Sequence, residues 1–390
     1  MIRFAHIADC HLGGWRQPEL QKLNLGAFEK AIDSCISEKV NFVLITGDLF
    51  DNAMPSVDIL KQATGKLREL KEKSIPCYFI AGSHDYSVSG KTFLEVLEKA
   101  GLCENIERIN GDELEIIDKK DFIIAGISGK KGELEKEMIK KIKTNVKSDK
   151  LKILALHTTI NENRTNEFIS GLDADELPKG FDYYALGHIH KPFKKEINGK
   201  LIVYPGPLFP NNFSELEELG SGGFFLVNAG DKIETERYEI GMKNISSIEI
   251  NADGKYPEII TSEIIGKIKK ESIKDKIILL KISGTLSRGK TSEINFREID
   301  EEAKKAECYS LLKNISGLES PEFKIKVELK SENVDEIEKE VISKLKQDDF
   351  AKFAEQLIKI LEIEKIEGEK TETFEKRLTD DFSKVLGVEL

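Results

Sequence analysis

Ile2-Arg3-Phe4-Ala5-His6-Ile7-Ala8-Asp9-Cys10-His11 opens the chain as a short apolar run leading into an aspartate and a histidine two positions apart. Residues i and i+2 leaving a strand project to one side, so Asp9 and His11 can act together while Cys10 points away. The same arrangement recurs further along. Residues 41–46 form a second apolar run, followed by Gly47 and Asp48; residues 76–81 form a third, followed by Gly82-Ser83-His84-Asp85. Residues 151–156 lead to His157, and 183–186 to Gly187-His188-Ile189-His190. Glycine before Asp48 allows the tight turn that aims a carboxylate into a crevice. In open α/β sheets ligands bind at the carboxyl ends of strands, so these five segments are expected to meet at one point.

Two amphipathic stripes separate the first three runs. One carries Leu25, Phe28, Ile32, Cys35 and Ile36, the other Val57, Leu60, Ala63, Leu67 and Leu70, both at helical spacing. Further strands are expected at 113–117, 122–126, 201–204 and 223–227, so residues 1–238 read as a layered α/β domain. After Gly241 the pattern restarts. Strands near 246–250, 276–283 and 323–329 with helices near 258–270 and 297–305 give a small α/β cap over 239–330. The stretches 314–321 and 331–335 read as turn-rich links. Residues 331–390 turn helical and charged: Phe350, Phe353, Ala354, Leu357, Ile358 and Leu361 form one stripe, with Asp348 or Asp349 as its cap. Phe374, Leu378, Phe382 and Val385 form another. Such a pair either folds back on its own domain or binds a partner's groove.

Composition narrows the function. With 390 residues, two domains and an extra module are expected. No apolar stretch is long enough to span a membrane, and the first strand leaves no room for a signal peptide. Five cysteines (Cys10, Cys35, Cys77, Cys103, Cys308) without paired spacing point to a reducing, cytoplasmic compartment. A net charge of −11 argues against a passive nucleic-acid coat, whose affinity rests on many cationic contacts to phosphate. Lys140, Lys141, Lys143, Lys147, Lys150 and Lys152 cluster, as do Lys267, Lys269, Lys270, Lys274 and Lys276. Each cluster reads first as a solvated helix face interleaved with Glu, and second as a phosphate track.

Five of the six histidines stand at strand ends beside carboxylates, a mixed N/O donor set suited to manganese, iron or zinc. A carboxylate can bridge two cations, and a pair of cations serves hydrolysis of phosphate esters. His6, inside its strand, reads as a packed or supporting residue rather than a ligand. The chain reads as a metal-dependent hydrolase.

The order Asp-x-His, Gly-Asp, Gly-Ser-His-Asp, His and Gly-His-x-His resembles the calcineurin-like metallophosphoesterase superfamily. Ile7-Ala8-Asp9-Cys10-His11-Leu12-Gly13, Thr46-Gly47-Asp48-Leu49-Phe50-Asp51 and Tyr184-Ala185-Leu186-Gly187-His188-Ile189-His190-Lys191-Pro192 are similar to the SbcD-type DNA-repair nuclease, or meiotic recombination 11, family. Tyr204-Pro205-Gly206-Pro207 resembles its following strand and turn. The resemblance implies an αββα sandwich with a cap and a C-terminal helical pair. It implies two Mn2+ per chain: Asp9, His11, Asp48 and His190 on one, with Asp48 bridging, and His157, His188 and Ser83 on the other. His84 would face the scissile phosphate and assist the leaving oxygen, with Asp85 as its orienting partner. The implied partners are DNA ends and single strands, an SbcC-type ABC ATPase held by the C-terminal helices, and a second copy docked through helices between residues 18 and 73. The implied location is cytoplasmic, on the nucleoid in a prokaryote. One departure stands out. The family usually has Asn before the catalytic His, and this chain has Ser83, a shorter and poorer ligand.

Two other readings remain. A phosphatase or small-phosphodiester hydrolase of the same superfamily would share the donor set, but protein phosphatases continue Gly-Asp with Arg-Gly, and this chain does not. A DNA-tethering scaffold with weak nuclease activity would fit the Ser83 departure.

Overall fold

The computed structural model describes residues 1–86, 92–164, 170–321, 360 and 371–386. Along the chain run β1 (Ile2–Ile7), α1 (Pro18–Ser37), β2 (Phe42–Thr46), α2 (Val57–Glu72), β3 (Cys77–Ile80), α3 (Phe93–Lys99) and β4 (Glu104–Asn105). Three short pieces follow, β5 (Ile109–Asn110), β6 (Glu113–Leu114) and β7 (Ile117–Asp118), then β8 (Phe122–Ile127), α4 (Leu134–Lys141), β9 (Leu151–His157) and β10 (Tyr183–Gly187). After these come β11 (Phe193–Ile197), β12 (Lys200–Tyr204), α5 (Phe213–Leu219), β13 (Gly222–Ala229) and β14 (Ile233–Ile240). The remainder is β15 (Ile245–Asn251), α6 (Pro257–Lys270), β16 (Ile277–Thr285), α7 (Phe296–Lys305), β17 (Ser310–Glu319) and α8 (Thr371–Leu386).

Two six-stranded sheets organise the first 240 residues. One has the order β14-β13-β1-β2-β3-β4, the other β11-β12-β10-β9-β8-β7. In the first, β1, β2, β3 and β4 pair in parallel; in the second, β8, β9, β10 and β12 do. The period-2 alternation of each strand makes the layers. In β1, Phe4 faces the opposite sheet, while Ala5 and Ile7 face the helices. Between the sheets Phe4 stacks on Phe42 at 4.7 Å, and Phe42 on Phe122 of the second sheet at 4.4 Å. Outside the first sheet, Phe28, Ala31 and Ile32 of α1 and Ala63 and Leu67 of α2 complete a core with Val43 and Ile45. Outside the second, Ile139 of α4 packs with Leu154, Leu156 and Leu186. This is a layered αββα sandwich.

Several expectations need correction. The strand expected at 113–117 is split, because Glu113–Leu114 pairs with β5 and Ile117–Asp118 with β8. In α2 the buried stripe is Ile59, Ala63, Leu67 and Leu70, and Val57 is 77% exposed. Ser56 caps that helix by accepting from the Ile59 N–H, which places Val57 on the first, outward turn. Residues 314–321 are not a link: most of them lie in β17, the edge of a three-stranded sheet β15-β16-β17. The strand expected at 323–329, the link at 331–335 and the stripe from Phe350 to Leu361 lie outside the described residues. Phe374, Leu378, Phe382 and Val385 lie on α8.

Chain contacts define two compact units. One comprises Met1–Ile250, Thr261–Ile282 and Phe296–Ser316; the other comprises Asn251–Ile260, Ser283–Asn295 and Gly317–Leu390. The basic clusters are partly ion-paired. Lys140 meets Glu176 at 3.4 Å, Lys150 meets Asp118 at 2.6 Å, Lys152 meets Asp182 at 2.9 Å, and Lys274 meets Glu307 at 2.5 Å. No helix among the described residues is long and apolar enough to cross a membrane.

Candidate metal centre

Parallel strands that start together also end together, and the five segments converge where β1, β2, β3, β9 and β10 finish. Asp9 and His11 follow β1, Asp48 follows β2, His84 follows β3, His157 ends β9, and His188 and His190 follow β10. Three ligand-sized groups form there: Asp9 with His11 and His190, His11 with Asp48 and His84, and Asp48 with His157 and His188. The groups overlap. Asp48 Oδ2 lies 3.6 Å from His11 Nε2 and 3.2 Å from His157 Nε2, so one carboxylate serves both sides. His188 and His190, two apart, fall to different groups.

The backbone is bent to achieve this. Asp9, His11, Asp48 and His188 all have positive φ, from 42° at His11 to 94° at His188. Non-glycine residues held there cost of order 1–3 kcal/mol each and persist only where the surroundings over-determine them. The surroundings do so here: His11 N–H donates to Asp48 O (2.9 Å), and His188 N–H donates to Asp9 Oδ1 (2.8 Å). Close approach explains Gly47 and Gly187. A Cβ on Gly47 would collide with His157 Nδ1, and one on Gly187 with Thr46 O.

Imidazole orientation is set from behind. His157 Nδ1 is 2.9 Å from Thr46 O and His190 Nδ1 is 2.8 Å from Glu215 Oε1, which leaves both Nε2 atoms for the centre. His11 Nε2 and His190 Nε2 stand 3.1 Å apart. Among the described residues, Asp9 Oδ2, His11 Nδ1 and His157 Nε2 are buried without a hydrogen-bond partner. Buried polar atoms left without partners are costly by themselves and favourable where a cation can engage them. The donor set fits metal ions.

Electrostatics agree. Burial opposes charge on Asp48, but His157 and His11, with the His84 N–H, outweigh it and hold Asp48 well below the usual carboxylate range. Burial likewise opposes charge on His157, yet Asp48 and Asp9 outweigh it and raise the imidazole to about 10. His188 is the reverse: burial first, then His157, lower it to about 3.

The remaining expected residues are placed as follows. Ser83 and His84 line a cavity beside the cluster. The His84 side chain is 48% exposed, and its Nδ1 is 2.8 Å from Asp51 O. Asp85 does not orient that ring. Its buried carboxylate accepts from the N–H groups of Leu49, Phe50 and Gly82, joining the loops after β2 and β3. His6 lies between the sheets, its ring nitrogens 3.0 Å from Tyr183 Oη and from Thr46 Oγ1, and burial lowers it to about 3. Cys10 is buried in the apolar core, away from the cluster. Sequence reasoning assigned no role to Glu215 or Asp51. Glu215 sits three residues after the helix cap Asn212, and its signal there is that of a capping residue. Asp51 Oδ1 stands 3.4 Å from His11 Nδ1.

Two facing sheets with a shared-carboxylate, histidine-rich cluster at their strand ends define a metal-dependent phosphoesterase. Residues 2–192 match the calcineurin-like phosphoesterase family. The chain is 30% identical to the DNA double-strand break repair protein Mre11 of Methanocaldococcus jannaschii, over 72% of this chain and 82% of that protein. It is 31% identical to the protein of that name from Methanococcus maripaludis, over 60% and 67%, and 27% identical to that of Archaeoglobus fulgidus, over 78% and 76%. The chain belongs to the Mre11 family of calcineurin-like phosphoesterases, and is a metal-dependent phosphodiesterase of the DNA-repair nuclease type.

Proposed function

We propose that this chain is the manganese-dependent nuclease subunit of a double-strand-break repair complex, cutting DNA as exonuclease and endonuclease. The observation that carries the reading is the sharing of Asp48 between the two halves of the cluster. Asp9, His11, Asp48 and His190 would hold one Mn2+, with Asp48 shared, and His157, His188 and Ser83 would hold the other. Two such cations, when bound, withdraw charge from the phosphoryl oxygens and acidify water. His84 lines the cavity and is anchored through Nδ1, which leaves Nε2 to protonate the departing oxygen. Asp85 acts through the loops it joins, holding Asp48 and His84 in place.

Residues 1–238 are the nuclease domain, 239–330 a DNA-contacting cap, and 331–390 the helical segment that binds an SbcC-type ABC ATPase. The helices between residues 18 and 73 dimerise; Val57, at the start of α2, is exposed. The protein acts in the cytoplasm, at the nucleoid in a prokaryote. Purified protein loaded with Mn2+ is assayed on duplex DNA, single strands and bis(4-nitrophenyl) phosphate. Cleavage of both DNA forms is expected. Hydrolysis of the small ester alone would favour the phosphodiesterase reading, and DNA binding without cleavage the tether.

Metal loading is expected to release protons. The His157 imidazole, raised to about 10, carries a proton at neutral pH and must lose it to ligate, and the Glu215 and Asp9 carboxylates shift His190 in the same direction against its burial. Manganese affinity therefore strengthens as pH rises toward about 10. Calorimetry in buffers of different ionisation enthalpy measures this, and binding without proton release would show that those imidazoles stay outside the metal shell.

Ser83→Asn supplies an amide oxygen at a reach a serine hydroxyl lacks. It is expected to tighten the weaker manganese site by ~10–100-fold. Cleavage should rise at limiting Mn2+ and stay level at saturation. Unchanged affinity would mean that position 83 does not face a metal.

A further inference from the structure

The cavity beside the metal cluster has a volume of about 900 Å³, within the range of ligand clefts. Its lining runs from Ser83, His84 and His188 to Lys130, Lys131 and Tyr86. Five of the eleven clustered lysines of this acidic chain are ion-paired, whereas these two stand beside the metal cluster. Among the described residues neither makes an ion pair, and the Lys130 Nζ approaches only Met138 Sδ, at 3.6 Å. Two carboxylates share the wall, but Glu133 is bound to Lys136 at 2.7 Å and Asp51 lies against His11. The lysines are therefore available to an anion. Tyr86 is 42% exposed and Met54 65% exposed, so the cavity also offers apolar and aromatic surface.

The turn bearing the lysines is fixed relative to the cluster. Glu135, buried at the start of α4, accepts from Lys130 N–H at 3.1 Å and from Thr158 Oγ1 at 3.0 Å. Thr158 directly follows His157. A single carboxylate thus ties the cationic turn to the strand end that carries a metal-facing imidazole.

We propose that this cavity seats one unstacked nucleotide of the strand being cut, its phosphate at Lys130 and Lys131 and its base against the Tyr86 ring. The proposal rests on the nuclease reading. A base can stack on a side chain only after leaving its neighbours, so the site takes single strands and frayed ends in preference to paired duplex.

The full-length chain with Mn2+ is compared with Tyr86→Ala, Tyr86→Phe and the double variant Lys130→Ala/Lys131→Ala. Substrates are a single-stranded oligodeoxynucleotide, a blunt duplex and bis(4-nitrophenyl) phosphate, with metal content measured for each protein. Loss of one base–aromatic stack is expected to raise the single-strand KM roughly 5- to 100-fold in Tyr86→Ala, with kcat retained. Tyr86→Phe should restore it. The double lysine variant should raise the same KM and lower the log–log salt slope by ~1.4, about 0.7 per lost phosphate contact. Hydrolysis of the aryl ester, too short to span the cavity, should change far less. Equal losses on the oligonucleotide and the ester, or an unmoved single-strand KM, would overturn the proposal. A wild-type chain that cleaves the ester but no DNA would instead sink the nuclease reading beneath it, and would be seen before any variant is made.

Discussion

Asp48→Ala retains less than one manganese ion per chain and loses phosphodiester hydrolysis by at least ~10³-fold, since Lewis-acid stabilisation of the transition state is worth several kcal/mol. The size of the effect follows from position. Asp48 Oδ2 faces both His11 and His157, while Oδ1 accepts the His84 N–H at 2.8 Å, so one substitution removes a donor from each half of the cluster and the anchor of the His84 loop. It also removes the main charge that keeps His157 protonated. Without metal, that imidazole should fall from about 10 toward the low value that burial alone dictates, an effect visible by NMR titration. Asp48→Asn separates the two roles: a carbonyl oxygen can still receive the His84 N–H, but the bridging charge is gone. Elemental analysis of both variants is the measurement. Two ions still bound in Asp48→Ala would show that the carboxylate is not shared.

The strands that carry the site were legible because they are buried on both faces and read as continuous apolar runs ending in Gly, Asp or His. β14 and β11 were not anticipated, and the reason is physical. Each is the edge of its sheet, and Ile233–Ile240 and Phe193–Ile197 are rich in lysine, arginine and glutamate. Charge on an edge strand blocks further pairing and erases the period-2 signal in the same stroke. β17 hid for a related reason: Asn314, Ser316 and Gly317 resemble a turn, but exposed positions on an edge tolerate them.

Within the site, spacing made the ligand types legible and left their support invisible. Asp9-x-His11 and His188-x-His190 are local patterns. The contact of Glu215 with His190 spans 25 residues, and that of His157 with Thr46 spans 111. Asp85 shows the limit most clearly. Adjacent to His84, it was expected to orient that ring, yet consecutive side chains diverge and its carboxylate is used by three backbone N–H groups. Nor could a sequence show that four metal-facing residues have positive φ. That strain is set by sheet-to-sheet convergence, which exists only once both sheets are folded.

His84→Ala tests the step that convergence serves. His84 falls within ligand reach of His11 and Asp48, so geometry by itself allows it to be a metal ligand or a proton donor. Its surroundings favour the second role. Its side chain is 48% exposed on the wall of the cavity, whereas Asp9, His11, Asp48 and His157 are buried, and Nδ1 is engaged by Asp51 O. The free Nε2 is then placed to meet substrate. Removing a general acid costs ~10²–10⁴-fold in rate, and that loss should appear in full on DNA, whose alkoxide leaving group needs a proton. A 4-nitrophenolate leaves without one, so bis(4-nitrophenyl) phosphate should lose much less. Manganese content should stay at the wild-type level. Exposure of the ring makes global unfolding an unsuitable explanation for the loss, and a thermal melt of the variant checks that directly. A variant that loses manganese along with activity, and loses both substrates equally, would place His84 in the metal shell and require a different group to protonate the leaving oxygen.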